Sequence, residues 1–297
     1  MKVLSLFDGI STGQYCLSQL GIDVEKYYAS EIDKYAIAIT QYNFPNTIQM
    51  GDVNNWKDWD IDWSTIDLII GGSPCQNLSN AGNGTGLEGS ESGLFYRYLE
   101  ILNHIKSLNP NVKFLLENVV MKKDWEQIFN NLMGVKPILI DSSIVSAQSR
   151  KRLYWTNIEI KGVLEDKHLT LKDIVEPIED KVEFNITDKM YAKKEGTLAY
   201  KKAWSSVRTL EQKSKTLTCS QSIANSGATN IKYPDGQFYK PSAIESERLQ
   251  TLPDNYTKYV ILDDVKKEIS YTQRVKCVGN GWTANVISYI FNGLISN

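Results

Sequence analysis

The chain has 297 residues, 42% apolar and 23% charged, a composition that buries a sizeable core and suits one or two domains. Its 33 basic and 35 acidic residues leave a net charge of −2, which excludes a polycationic nucleic-acid packer and a highly charged disordered segment. No apolar run approaches the roughly 20 residues of a membrane span, and Met1-Lys2 lead straight into an apolar strand signal rather than a secretory leader. The expectation is a cytoplasmic protein without a membrane partner.

The predicted elements begin with a strand over Lys2–Phe7 and a helix over Gly13–Leu20. A short strand at Tyr27–Glu31, a helix at Lys34–Phe44 and a strand at Asp67–Gly71 follow. Over Leu94–Leu108, residues Leu94, Tyr98, Ile101, Leu102 and Ile105 fall on one helix face. Lys113–Asn118, Asp124–Met133 and Pro137–Val145 then read as strand, helix and strand. Alternation of this kind predicts an α/β fold, a mostly parallel sheet whose ligands sit at the carboxyl ends of its strands.

From about Asn157 the texture changes to Lys, Ser, Thr and Asn without a long helical period. Lys215–Ser220 and Asn230–Tyr233 read as short strands, and Pro234-Asp235-Gly236 as a turn. Residues 158–274 are therefore expected to form a small, loop-rich second domain, with 1–157 plus 275–297 forming the first. Charge divides similarly: residues 1–150 hold 11 basic and 17 acidic residues, and residues 151–250 hold 17 and 14. Within Lys189–Lys215, eight basic residues with Tyr191, Tyr200 and Trp204 interleaved suit either a solvated face or a phosphate-contacting surface.

Four widely spaced cysteines (Cys16, Cys75, Cys219, Cys277) and only two histidines argue against a metal site, a disulfide framework and a Ser-His-Asp triad. The first strand runs into Phe7-Asp8-Gly9-Ile10-Ser11-Thr12-Gly13, where glycines let backbone approach a ligand at a helix N-terminus, or simply make a tight turn. Glu31 and Asp52 end the next two candidate strands, where a carboxylate can bind a ribose or an adenine amino group, or cap a helix. Cys75, in Gly71-Gly-Ser-Pro-Cys75, follows a strand and is a candidate nucleophile, with the 76–93 stretch suited to a lid. Glu117 ends the fifth strand as a candidate acid, and Gln148-Ser-Arg150-Lys-Arg152 sets two guanidiniums on one face.

In this order, Phe7-x-Gly9-x-x-x-Gly13, Glu31, Asp52, Pro74-Cys75-Gln76, Glu117-Asn118-Val119 and Gln148-x-Arg150-x-Arg152 resemble the DNA (cytosine-5) methyltransferases. Arg248-Leu-Gln-Thr-Leu-Pro253 and Gly279-Asn280-x-x-x-x-Asn285-Val286 complete a resemblance that covers nearly the whole chain. Leu6–Ile10, Ala29–Glu31, Glu117–Val120 and Trp282 are similar to the de novo enzymes of animals, on a chain that looks like a stand-alone bacterial or phage enzyme. Leu78 departs from the family's usual aromatic, and Trp282 replaces a small residue of many bacterial members.

The resemblance implies a Rossmann-like S-adenosylmethionine-dependent methyltransferase domain with a target recognition domain. Cys75 would attack cytosine C6, Glu117 would bind N3 and the amino group, Arg152 would contact O2, and Arg150 and Asn118 would support them. S-adenosyl-L-methionine, leaving as S-adenosyl-L-homocysteine, would contact Phe7, Asp8, Gly9, Thr12, Gly13, Glu31, Ile32, Asp52, Val53, Pro74, Leu94, Asn280 and Trp282. Double-stranded DNA would meet Ser79, Gln148, Thr216, Leu217, Ser220, Gln221, Asn225 and Arg248. A cognate restriction enzyme is a possible functional partner; no obligate protein partner is evident. The competing readings are a tRNA cytosine-5 methyltransferase and a catalytically silent DNA-binding relative.

Overall fold

The computed structural model describes residues 1–73, 92–225, 227–262 and 265–295. Pro74, Cys75 and Ser79, and almost all of the 76–93 stretch, lie outside the described residues. Two compact units result: 1–140 with 151–162 and 287–297, and 141–150 with 163–286.

In the first unit, strand β1 (Lys2–Leu6) is followed by helix α1 (Thr12–Gln19), β2 (Lys26–Ser30), α2 (Lys34–Asn43) and a two-residue β3 (Ile48–Gln49). β4 (Leu68–Gly72), α3 (Ser92–Leu108), β5 (Lys113–Val119), α4 (Lys123–Met133), β6 (Ile138–Asp141) and β7 (Lys151–Thr156) complete a seven-stranded sheet of order β3-β2-β1-β4-β5-β7-β6. β1 pairs in parallel with β2 and β4, and β4 with β5. The inner strands are apolar and buried throughout, as a parallel sheet covered on both faces requires. On α3 the anticipated stripe is real: Tyr98, Ile101, Leu102 and Ile105 are fully buried, and the Tyr98 hydroxyl donates to the Leu115 carbonyl at 3.0 Å.

The expected strand Pro137–Val145 stops at Asp141, whose carboxylate accepts from the Ser143 amide and starts a 3-10 turn. β7 enters the sheet after the short return 142–150, too few residues for a helical crossover, and runs antiparallel to β5 with Val119 opposite Arg152. The beginning of β7 therefore lies beside the carboxyl end of β5.

The second unit contains α5 (Thr187–Tyr191), α6 (Leu198–Ser205), β8 (Val207–Thr209), β9 (Asn230–Lys232), β10 (Phe238–Tyr239) and α7 (Ala243–Leu249), then the hairpin β11 (Tyr259–Leu262) and β12 (Val265–Glu268), and α8 (Tyr271–Asn280). The chain returns to the first unit within α9 (Ala284–Phe291). The Pro234–Gly236 turn forms with Gly236 at φ 85°, joining β9 to β10. Lys215–Ser220 is not a strand; its backbone and side chains bond to residues 148–150 instead, beside a single bridge between Gln148 and Ser214. The units are cut differently from the division read in the sequence: 141–150 and 275–286 cluster with the second unit, and 158–162 with the first. Among the described residues no helix is long and apolar enough to cross a membrane, and no group of three or more His, Cys, Asp or Glu side chains could hold a metal ion.

Candidate active site

The 7–13 loop leaves β1 through three left-handed backbones: Phe7 at φ 57°, Gly9 at 61° and Ser11 at 55°. Only glycine adopts this region freely, and each non-glycine residue there costs on the order of 1–3 kcal/mol. Glu31 holds the loop in place. One carboxylate oxygen accepts from the Gly9 amide at 2.8 Å, and the other from the amides of Ile32 and Asp33 at 2.7 and 2.8 Å. Ile32 itself is 75% exposed, an isolated apolar side chain beside this acid.

Asp8 turns its carboxylate inward, where it accepts from the hydroxyls of Ser11 and Tyr27, the latter at 2.9 Å. Burial pushes its pKa up to about 6, against the lowering effect of hydrogen bonds from Ser11, Ser5 and Tyr27. Thr12 is buried, and its hydroxyl has no hydrogen-bond partner among the described residues. A buried orphan hydroxyl at the entry to α1 is the kind of group that a ligand satisfies. Gly13 is buried in the same turn.

Asp52 departs from its expected place. It follows a turn with Gly51 at φ 72° rather than ending β3, and caps the 3-10 helix Val53–Asp58 by accepting from the Asn54 amide and side chain at 2.9 and 3.0 Å. Val53 is buried there, and Leu94 is half-buried against the same core near the start of α3.

At the carboxyl ends of β4 and β5 the polar groups interlock. Arg152 Nε lies 2.8 Å from Glu117 Oε1, and both side chains are largely buried. The Arg152 Nη1 also donates to its neighbour's carbonyl at Lys151, which fixes the plane of the guanidinium. Asn118 is 1% exposed; its amide donates to Ser73 Oγ at 3.0 Å, while its oxygen accepts from the Val119 amide at 2.8 Å. Asn118 thus ties the end of β5 to the residue immediately before Pro74-Cys75. Gly71 allows the strands to meet: a Cβ there would stand 2.9 Å from the Leu6 carbonyl oxygen and 3.1 Å from the Tyr98 ring. Of the other thiols in the first unit, Cys16 is buried and pushed up to about 12 by that burial, which removes it as a nucleophile at neutral pH.

In the second unit, several expected contact residues face inward. Gln148 is fully buried and Leu217 2% exposed, the Leu217 amide donating to Gln148 Oε1 at 3.0 Å. Arg150 is 4% exposed, with its guanidinium on the carbonyls of Leu217, Gly279 and Gly281. Arg248 grips Asp254 through two nitrogens at 2.8 and 2.6 Å. Thr216 donates to the Ser149 carbonyl at 2.7 Å. Lys213, within the basic run, is bonded to the carbonyls of Ser143, Ser146 and Leu169. Ser220 is exposed and Gln221 and Asn225 half-buried on the following loop, while Lys189, Lys194, Lys201 and Lys202 are exposed cations. Asn280 is exposed and Trp282 half-buried after α8. Sequence reading passed over Ser73 and Gln250; the second was visible inside the Arg248–Pro253 motif, the first only through its bond to Asn118.

A mostly parallel seven-stranded sheet of this order, with its helices, is an α/β fold shared with known methyltransferase structures. The mutant Spodoptera frugiperda DNMT2 superposes with a TM-score of 0.70 at 19% identity, covering 99% of both chains. The Entamoeba histolytica methyltransferase EhMeth gives 0.75 at 15% identity, covering 100% of this chain and 99% of that one. At these identities the likeness is one of fold. The family follows from the sequence match: the C-5 cytosine-specific DNA methylase model matches residues 1–296, and the chain belongs to that family. Among its relatives, the orphan methyltransferase M.SPRI of Bacillus phage SPR is 37% identical over 121 residues, 40% of this chain and 26% of that protein. The type II methyltransferase M.NgoPII of Neisseria gonorrhoeae is 32% identical over 203 residues, 61% of this chain and 58% of that protein. The chain thus spans between about a quarter and three fifths of the length of these relatives.

Proposed function

We propose that this protein is a DNA (cytosine-5) methyltransferase that acts on a cytosine flipped out of duplex DNA. The observation that carries the reading is the largely buried Glu117–Arg152 pair at the strand ends, with Asn118 anchoring Ser73 directly before Pro74-Cys75. The residues at the first loop fit S-adenosylmethionine: the orphan Thr12 hydroxyl, the exposed Ile32 and the Glu31 carboxylate offer a polar contact, an apolar face and a ribose acceptor. Phe7, Gly9, Gly13, Asp52, Val53 and Leu94 would complete that part of the site; Pro74, Asn280 and Trp282 are the family's further contacts. When bound, the cofactor supplies an electrophilic methyl group and leaves as S-adenosylhomocysteine.

Cytosine C5 is a weak nucleophile, and the chain's own groups supply its activation. The Cys75 thiolate forms a bond to C6, and the C5–C6 π pair moves to C5. Glu117, hydrogen-bonded to N3 and the amino group, stabilises the charge that addition develops on the ring, and Arg152 contacts O2. After methylation at C5, a water molecule takes the C5 proton, the freed electron pair restores the C5–C6 double bond, and the C6–S bond breaks to release the thiolate. A stacked base offers no access to C6, so the target must leave the helix. Exposed Lys189, Lys194, Lys201 and Lys202, with Ser220, Gln221 and Asn225, are proposed to face the DNA. Relatives from phage and bacteria support a bacterial or phage setting, and the type II name of M.NgoPII, unlike the orphan M.SPRI, favours a cognate restriction enzyme as a functional partner.

Transfer of tritiated methyl groups to unmethylated duplex DNA and to tRNA, by the wild type and by Cys75→Ser, tests the reading. Label in DNA with the wild type alone supports it. Label confined to tRNA makes RNA the substrate, and label from Cys75→Ser contradicts the covalent route.

A further inference from the structure

Four stretches of the second unit meet at one buried hydrogen-bonded node. Arg150 donates from Nη1 to the Leu217 carbonyl at 2.9 Å, and from Nη2 to the carbonyls of Gly281 and Gly279 at 3.0 and 3.3 Å. Gln148 accepts from the Leu217 amide and donates to the Leu249 carbonyl at 2.5 Å and to Gln250 Oε1 at 2.9 Å. Gln250, fully buried, donates to the carbonyls of Val278 and Gly281 at 3.1 and 3.0 Å, and accepts from the Thr283 hydroxyl at 2.8 Å.

Two further features show that this node fixes geometry. Gly279 lies so close to the 218–219 backbone that a Cβ would fall 2.4 Å from the Thr218 carbonyl. Thr251, a β-branched residue, is held at φ 55°, with its hydroxyl accepting from the Asn285 amide at 2.8 Å. Backbone packed on backbone and a strained residue beside the node leave the 217–221 loop and the 279–283 turn little freedom to move separately.

We propose that Arg150, Gln148 and Gln250 are positioning residues that join the 217–221 loop and the 279–283 turn into one mechanical piece, so that nucleic acid held by the first orders the second for the cofactor. This rests on the reading above, in which the loop faces DNA and Asn280 and Trp282 meet S-adenosylmethionine. Arg150 then acts through two loops rather than on the base, unlike Arg152, whose guanidinium stands on Glu117. Coupling between two ligands is reciprocal, so the same node must raise DNA affinity when cofactor is bound.

The test measures S-adenosylhomocysteine affinity by calorimetry, with and without saturating unmethylated plasmid DNA, for the wild type, Arg150→Lys and Gln250→Glu. Gln250→Glu keeps the acceptor for Gln148 and Thr283 and loses both donations to 278 and 281; Arg150→Lys keeps the charge and loses the planar fork, and is the variant to use if the first does not fold. The proposal expects DNA to tighten wild-type binding at least about fivefold. In a folded variant the ratio should fall to within about twofold of one, while each ligand still binds alone. A folded variant that keeps the wild-type ratio overturns the proposal, as does a wild-type ratio of one when both ligands bind. A wild type that binds neither S-adenosylhomocysteine nor DNA overturns the methyltransferase reading, and the proposal with it.

Discussion

Asp8→Asn should change how stability depends on pH, because the folded chain keeps this carboxyl protonated well past its ordinary range. Burial lifts its pKa from 3.8 to about 6. At about 1.36 kcal/mol for each pH unit, that gap amounts to about 3 kcal/mol. Between the two values the folded state binds the extra proton, so this contribution is fully present at low pH and is lost as pH rises through 6. About 2 kcal/mol of the loss falls between roughly pH 4.5 and 7.5. Asparagine removes the titration but leaves only one oxygen to accept from both Ser11 and Tyr27, at a cost of about 1 kcal/mol. Urea unfolding of both proteins across this range should find the variant the less stable in acid and gaining about 2 kcal/mol relative to the wild type by the upper end. A relative change below about 0.5 kcal/mol, or of opposite sign, would refute the inward, desolvated placement of Asp8.

Glu117→Gln should lower methyl transfer by roughly a hundredfold or more, since an amide cannot deliver a proton to N3 as the thiolate adds, while circular dichroism shows a folded chain. Asn118→Ala should free Ser73 and cost about 1–3 kcal/mol of stability, with turnover falling more than S-adenosylhomocysteine affinity in parallel titrations. Gly71→Ala should destabilise by about 1–3 kcal/mol in thermal melts, because the new methyl meets the Leu6 carbonyl and the Tyr98 ring; a melting curve equal to the wild type's would contradict that packing.

The sheet was legible because its strands are short apolar runs and α3 carries an unbroken stripe from Tyr98 to Ile105, signals set by local periodicity. The end of β6 was not, since Val145 continues the apolar pattern while the carboxylate of Asp141 redirects the backbone. Lys215–Ser220 alternates like a strand, yet its partners are Gln148 and Arg150, tens of residues away, and no local pattern carries that information. In the site, Glu117 and Arg152 could be nominated from their positions at strand ends. Their mutual ion pair depended on β7 running antiparallel beside β5. Motifs likewise marked Gln148, Arg150 and Leu217 without distinguishing surface contacts from internal fasteners, because burial is a property of the folded chain.

The central claim, covalent attack by Cys75 on cytosine in DNA, is tested most directly by incubating the protein with tritiated S-adenosylmethionine and duplex DNA containing 5-fluorocytosine. Fluorine at C5 cannot leave as a proton, so elimination is blocked and the enzyme should remain bonded to DNA as a labelled band that survives denaturation. That band should form with the wild type and vanish with Cys75→Ser. Methyl transfer to ordinary duplex DNA without any trapped band on the fluorinated duplex would contradict the mechanism.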